Sequence, residues 1–599
     1  MHLIFDKNKT KKQLKELSFE EFNLAYSLEG KEIYFENNAL ILFLKTNYSE
    51  NYIKNKLSKP ENTDSNDIKE AFQKDGFWVI VDKKSNKITL NRDLSGLYTC
   101  YYYIDENEVH IATNVHSLAK TKAKELNSEA VYQLLYFDFL WDGQTIYNNI
   151  SQLKVGGEIV LNSNLKIVSN KFLQPNITEQ ENLLTEKENI QSLRQEIVKA
   201  HKSYINEKNI VFLSGGIDSV AMLIALDDLT SKNTIENHSF KVKGTTQDET
   251  EYAKSIANHL DIKLSIIERD LSDEIDVKTF KEEIVKMNNP YPGMWIFGNQ
   301  IDNDSLKTYF AGQDTRLHTP SLNALDTISF NIFYLSRYFS PIFFLIDVIF
   351  YPFKLIFNFI LKRKGITNKY FLGLRRALYL FNTKKYLQLV YFKADKAILS
   401  SYKLPTKHLN TIINNYNFSL KGIKSKRSLY NAIVSKKWIE QYVNDMRYMI
   451  DMVNIQGGKL AMPFYDMDLA RFSATIPFDL SIKNMKGKSQ FNDKNSTIHK
   501  YVLREALVDK IDQKTYLRSK AVSRTGHIMF NQGLDNILKE IIKEDLVSSN
   551  SFIKNFELER FLERFLKNKN NWIMTDDKYL LKIYYVACLI VYNNRLKEV

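Results

Sequence analysis

The rhythm of hydrophobic and polar positions changes near residue 196. Before it, short apolar runs are separated by polar turns. GFWVIVDKKSNKITLNRDLSG (76–96) alternates around a polar turn. YTCYYYIDENEVHIATN (98–114) repeats this with aromatic and β-branched residues, and both stretches predict hairpins. SEAVYQLLYFDFLW (128–141) has helical spacing, and GGEIVLNSNLKIVS (156–169) is strand-like again. Polar residues then dominate 171–195, which reads as a linker. From 196 onward helix and strand patterns alternate: helix LRQEIVKAHKSYI, strand IVFL, helix SVAMLIALDDL, strand HSFKVKG, helix DETEYAKSIANHL, strands KLSIIER and TYFAG. That order predicts a parallel sheet with helical crossovers, an α/β domain over 196–599 after a strand-rich domain over 1–170. Residues 420–599 read as mostly helical, and no internal repeat is visible.

One apolar insertion, at about 325–400, interrupts the second domain. Its core is YLSRYFSPIFFLIDVIFYPFKLIFNFILKRKG (334–365). Residues 342–361 are nearly long enough to span a bilayer. Asp347 and Lys354 oppose that, each costing about 2.5–3.5 kcal/mol at mid-bilayer, and Pro341 and Pro352 interrupt a helix. Ser336, Ser340, Asp347, Tyr351, Lys354, Asn358 and Lys362 recur at steps of three, four and seven, which puts them on one helical stripe. Two readings stay open. Residues 341–364 lie in a membrane interface, with Lys362-Arg363-Lys364 toward anionic lipid, or they pack on the protein's own helices or a dimer partner.

The chain has 599 residues, so two or three domains are expected. The two cysteines, Cys100 and Cys588, form neither a metal spacing nor a disulfide framework. With an N-terminus, MHLIFDKNKTKK, that lacks an apolar signal core, this points to the cytoplasm, with the membrane's inner face as the other candidate location. The net charge is +13, but lysine is spread along the whole chain. A solvated basic surface accounts for it better than a nucleic-acid groove.

The candidate chemistry starts at NIVFLSGGIDSV (209–220), where a strand runs into two glycines and restarts as a helix. Such a turn gathers backbone N–H groups and a positive helix end at one point. Gly215 and Gly216 can take backbone angles other residues resist, and Ser214 and Ser219 add hydroxyls. Asp218 would repel a bare phosphate, so the set suits pyrophosphate carried by Mg²⁺. The Walker ending Gly-Lys-Ser/Thr is absent.

SGGIDS resembles the PP-loop of enzymes that split ATP into AMP and pyrophosphate. The segments DETEYAKSIANHLDIKLSII (248–267), NNPYPGMWIFGNQ (288–300), AMPFYDMDLARFSATIPFDL (461–480) and KYVLREALVDKIDQKTYLRSKAV (500–522) resemble asparagine synthetases in the same order. The resemblance implies a PP-loop parallel-sheet domain that uses ATP and Mg²⁺. It implies nucleotide contacts from Ser214, Gly215, Gly216, Asp218, Ser219, Val242 and Gly312, and metal-facing carboxylates at Asp218 and Asp314. Lys520, in an Arg-x-Lys pattern, would neutralise the developing charge. VDKKSNKITLNRDLSGLYTCYYY and DFLWDGQTIYNNISQLKVGGEIVLN resemble the strands of the glutaminase domain that precedes these synthetases, implying an Ntn-like α+β sandwich.

Two departures shape the expected function. That glutaminase uses a cysteine exposed at the second position as its nucleophile. Here the residue is His2, the glutamine-pocket Asn-Gly-Glu motif is missing, and no glutaminase activity is expected. The family's Gly-Glu-Gly-x-Asp-Glu turn reads YFAGQDTRLHTP (309–320) here. Gln313 replaces an acid, and Arg316 and His318 follow. His318 is a candidate base for an amine, since its ordinary pKa lies near 6.5; hydrogen bonding within a loop is the other reading.

The leading expectation is an ATP-dependent ligase. It would adenylate a small-molecule, peptide or glycan carboxylate and pass it to an amine that is free ammonia, a separate donor or part of the same substrate. The last case resembles β-lactam synthetases, and lasso-peptide cyclases are similar. An RNA-modifying PP-loop enzyme and a nucleotide-binding scaffold are the alternatives.

Overall fold

A computed structural model describes residues 1–6, 15–19, 22–28, 32–57, 63–173, 180–243, 250–269, 275–289, 291, 301–302, 304, 306–312, 324–336, 338–364, 379, 396–415, 423, 425–437, 443–485, 496–518, 530–567 and 576–597. The N-terminal region holds twelve strands among these: β1 (His2–Asp6), β2 (Lys15–Ser18), β3 (Asn23–Ser27), β4 (Ile33–Glu36), β5 (Leu40–Lys45), β6 (Phe77–Asp82), β7 (Lys87–Arg92), β8 (Tyr101–Ile104), β9 (Glu108–Ala112), β10 (Ser151–Gln152), β11 (Gly157–Leu161) and β12 (Ile167–Phe172). They form two antiparallel sheets, in the orders β10-β8-β9-β1-β3-β2 and β12-β11-β7-β6-β5-β4. The predicted hairpins are β6–β7 and β8–β9.

The sheets stack because their facing side chains are apolar. Leu3, Phe5, Val109 and Ile111 of the first share a core with Ile41, Phe43, Val79 and Val81 of the second. Tyr26 meets Phe43 edge-on across the gap, ring centroids 5.2 Å apart. The second sheet is covered on its other face too. Leu40, Leu42, Leu44, Trp78 and Ile80 join Leu193, Ile197, Val220 and Leu223 in a second core. Burial on both faces explains why LILFL and FWVIV are continuous apolar runs.

The second region carries the expected parallel sheet. β13 (Lys208–Phe212), β14 (Ile235–Val242), β15 (Leu264–Arg269), β16 (Lys307–Phe310) and a two-residue β17 (Leu460–Ala461) lie in the order β15-β14-β13-β16-β17. Every pair is parallel. β17 is too short to leave a pattern in the sequence; it is fixed by pairing with Tyr309 and Phe310. The helix expected from Leu193 begins at Glu186, where Thr185 and Glu188 close a capping box. The crossover helix Ile217–Leu229 is buried from Ile217 to Leu226 apart from Asp218, so it is apolar nearly all round.

Within the insertion, the described residues form helices Ala324–Ser336, Ser340–Ile349 and Tyr351–Lys364, and a short helix at Lys396–Ser401. The polar stripe is therefore not carried by one helix. Pro352 cannot donate to the preceding turn, and the chain bends by 50° between Pro341–Ile349 and Tyr351–Ile360. Ser336 falls in an earlier helix, buried, with its hydroxyl on the Phe333 carbonyl. No single helix among the described residues is long and apolar enough to cross a membrane, though this bent pair passes that test together.

Candidate active site

The site is built where β13 ends. Its chain turns through Ser214-Gly215-Gly216 into the helix starting at Ile217, with Gly216 as N-cap. The two glycines differ. Gly215 has φ +68°, and a Cβ there would lie 2.6 Å from Tyr252 Cβ and 2.8 Å from the Ala253 nitrogen. Only glycine fits that left-handed turn against the helix Thr250–Leu260. Gly216 has φ −74° and ψ 151°, and a Cβ would meet only the Ser214 hydroxyl at 3.3 Å. Of the two glycines, Gly215 alone uses the backbone freedom that both could supply; a methyl on Gly216 would project in front of the helix end.

Hydroxyls close the loop. Ser219 Oγ donates to the Gly216 carbonyl at 3.0 Å, and the Ser214 N–H reaches Ser219 Oγ at 3.3 Å. The Gly216 N–H reaches Ser214 Oγ at 3.3 Å. Gly312, just past β16, presses on the same helix: a Cβ there would be 2.7 Å from the Asp218 carbonyl oxygen and 2.9 Å from Ser219 Cα.

A third segment brings positive charge. Lys500, at φ 56°, points Nζ at both carboxylate oxygens of Asp218, 2.5 and 2.6 Å away. Arg518 donates from Nη1 to the Ser214 carbonyl at 2.7 Å and lies over the Tyr252 ring at 4.2 Å. Arg504 ties this segment together, donating to the carbonyls of His499 at 2.9 Å, Thr515 at 3.2 Å and Arg518 at 3.0 Å. Burial holds the Arg504 guanidinium below its ordinary range, with the Asp218 charge acting against that. Ser255 donates to Asp512 at 2.9 Å and docks the segment on the helix Thr250–Leu260.

Ser214, Gly215, Gly216, Asp218, Ser219 and Gly312 are thus brought together. Val242 ends β14, the strand paired directly with the loop's own strand β13, and its backbone is in register with Arg269 of β15. Gln313, Asp314, Arg316, His318 and Lys520 lie outside the described residues. Lys500, Arg504, Arg518 and Tyr252 were not singled out by sequence reasoning. The available signal was the density of cations from Lys500 to Lys520 in a segment already matched to the family.

The residues fit Mg·ATP. A helix end, two serine hydroxyls, the Asp218 carboxylate with Lys500 on it, and Arg518 on the loop's Ser214 carbonyl form a cradle for a polyphosphate with its metal. Among the described residues no cluster of three metal-ligating side chains occurs, so the metal would lean on Asp218 and the phosphates themselves.

The Asparagine synthase family model matches residues 195–311 and 438–581, which together contain this loop, β13 to β17 and the Lys500–Arg518 segment. The Glutamine amidotransferase domain model matches residues 69–172. The chain belongs to the asparagine synthetase family. A curated member, the putative asparagine synthetase (glutamine-hydrolyzing) 2 of Methanocaldococcus jannaschii, is 24% identical over 281 residues. The match covers 42% of this chain and 54% of that protein, so it spans about half the length of the relative. This family member carries residues 312–437, with the apolar insertion, between the two matched stretches.

Proposed function

We propose that this family member is an AMP-forming carbon–nitrogen ligase. It adenylates a substrate carboxylate with ATP, releases pyrophosphate, and lets an amine attack the acyl adenylate to give an amide. The observation that carries the reading is the Asp218–Lys500 pair beside the glycine turn, a carboxylate and a cation from chain segments 282 residues apart meeting at a helix end. In the reaction Asp218 would hold the metal, and the Gly216 N–H with the Ser214 and Ser219 hydroxyls would orient the phosphates. Mg²⁺, when bound, screens the phosphate charge. Lys500, Arg518 and Lys520 stabilise the charge that develops on the leaving pyrophosphate. Gln313 and His318 are candidates for the substrate side, His318 as base toward the amine, and Asp314 for a second metal contact.

The nitrogen does not come from glutamine in this proposal. Cys100 and Cys588 are both wholly buried, and burial pushes each thiol far above its ordinary range, so neither supplies a thiolate. His2 lies in β1 with Nε2 3.4 Å from His110 Nδ1, a ring pair packed in the sheet rather than a nucleophile. The amine is free ammonia, a separate amine or one on the substrate itself. The test is product analysis with Mg·ATP, a panel of carboxylates and hydroxylamine as trapping amine. AMP, pyrophosphate and a hydroxamate support the proposal; ADP and phosphate refute it.

A further inference from the structure

The bent helix pair of the insertion is built inside out. Its large apolar side chains face away from the protein: Phe344 is 66% exposed, Ile349 67%, Phe353 53% and Ile356 55%, with Leu345 and Val348 similarly turned. Lys354, Asp347 and Asn358 face inward. Lys354 is only 5% exposed; its Nζ pairs with the Asp347 carboxylate, reaches the Asp347 carbonyl at 3.3 Å and lies 5.2 Å from the Tyr379 ring centroid. Asn358 Nδ2 donates to the Tyr379 hydroxyl at 3.1 Å. A lysine with water on its outer side gains by reaching it. Here the ammonium is spent on an internal carboxylate across the helix break, and the outward face is left to rings and branched chains. An exposed apolar face of this extent marks an interaction surface.

Charge selects the occupant. Lysines are spread along the chain, but net charge is not. Residues 337–395 carry eleven Lys and Arg against two Asp and no Glu, a net +9 out of +13 for all 599 residues. Three of these, Lys362, Arg363 and Lys364, end the second helix of the pair. A second copy of the chain would bring a second +9 to the same contact. An anionic lipid surface brings the opposite charge together with an apolar interior a few ångströms below it. Neither helix of the pair is long enough to span a bilayer alone. The longer helix has 14 residues, about 21 Å, against a hydrocarbon core of about 30 Å, and the pair bends by 50°.

We infer that residues 340–364 dock the protein on an anionic membrane, with Phe344, Ile349 and Phe353 in the acyl boundary and the following basic residues among the headgroups. This goes beyond the ligase proposal and does not depend on it. The substitutions follow the observed faces: Phe343 and Phe350 are only partly exposed, whereas Phe344 is outward.

The test is flotation of the full chain with vesicles of neutral phosphatidylcholine, with and without 30 mol% (about) anionic phosphatidylglycerol. The parent should float with the anionic vesicles and much less with neutral ones. Phe344→Ser/Ile349→Ser/Phe353→Ser should cut binding about tenfold or more at an unchanged melting temperature, because these side chains are exposed in the free protein. Lys362→Gln/Arg363→Gln/Lys364→Gln should cut it and remove most of its salt dependence. Extraction at alkaline pH should release the bound protein, as it would not release a spanning segment. Four results would overturn the inference: no flotation of the parent, undiminished flotation of the triple serine variant, resistance to alkaline extraction, or a lipid-free dimer that the serine variant converts to monomer.

Discussion

The adjacent glycines of the Ser214–Ser219 loop should respond unequally to alanine. At Gly215 the φ of +68° costs an L-residue about 1–2 kcal/mol. The added methyl would also sit 2.6 Å from Tyr252 Cβ, 2.7 Å from the Tyr252 carbonyl carbon and 2.8 Å from the Ala253 nitrogen. Those atoms are a helix backbone and its first side-chain carbon, which cannot swing aside, so overpacking adds about 1–3 kcal/mol. Gly215→Ala should therefore destabilise by about 2–5 kcal/mol. At Gly216 φ is −74° and the methyl meets only a rotatable hydroxyl at 3.3 Å, so Gly216→Ala should cost under about 0.5 kcal/mol. Gly533, at φ +102° with nothing within 4 Å of a built Cβ, supplies the backbone cost alone. Thermal melting of the three variants in parallel should rank Gly215→Ala lowest, Gly533→Ala next and Gly216→Ala beside the parent. Nucleotide use should fall in Gly216→Ala although its fold is intact, because the methyl intrudes where phosphate approaches the N–H. A Gly215→Ala protein that melts with the parent would refute this account of the turn.

Asp218→Ala should abolish AMP formation with little change in melting temperature, since the carboxylate contacts a lysine and not the core; turnover at the parent rate would remove Asp218 from the site. Lys500→Met should lower AMP formation about a hundredfold, measured as pyrophosphate released, because a charge-stabilising donor is lost. Glutamine should yield no glutamate above background in purified protein, whereas ammonium or another amine should support product; sustained glutamate release would expose a nucleophile the buried thiols do not supply. His116 is held down to about 3 by burial, with Nδ1 2.7 Å from the Tyr147 hydroxyl and Nε2 3.0 Å from the Met287 carbonyl. Its folded value lies below the ordinary 6.5, so its contribution is full above pH 6.5 and is lost as pH falls through that window. The stability deficit of His116→Gln should then shrink by about 1.4 kcal/mol per pH unit from pH 6.5 downward, read by chemical denaturation against the parent. Asp451, raised to about 6 by burial, slopes the other way in both proteins and cancels in the difference.

Much of the fold was legible because it is written in local period. Alternation around DKKSN predicted β6–β7, and the change to helix–strand alternation near residue 196 predicted the parallel order around β13. The Ser214–Ser219 loop was legible because its glycines, hydroxyls and carboxylate are packed into six consecutive residues. What escaped was non-local. Nothing in the spacing of Lys500 says that it meets Asp218, since that contact depends on how Arg504 and Asp512 seat the segment on the helix of Tyr252. Gly215 and Gly216 look alike in sequence, and only the neighbour pressing on Gly215 separates them. The insertion's amphipathic stripe was visible, but period alone does not say which face turns inward. That was decided by the Asp347–Lys354 pair across a break that Pro352 imposes.

The most direct measurement of the ligase reading is the identity of the products from ATP. Parent protein, Mg·ATP labelled at the α- and γ-positions, and a carboxylate panel with ammonium should give AMP and pyrophosphate in equal amounts. The yield should be insensitive to added glutamine and lost in Asp218→Ala. Labelled ADP with free phosphate, or AMP formation that persists without the Asp218 carboxylate, would contradict it.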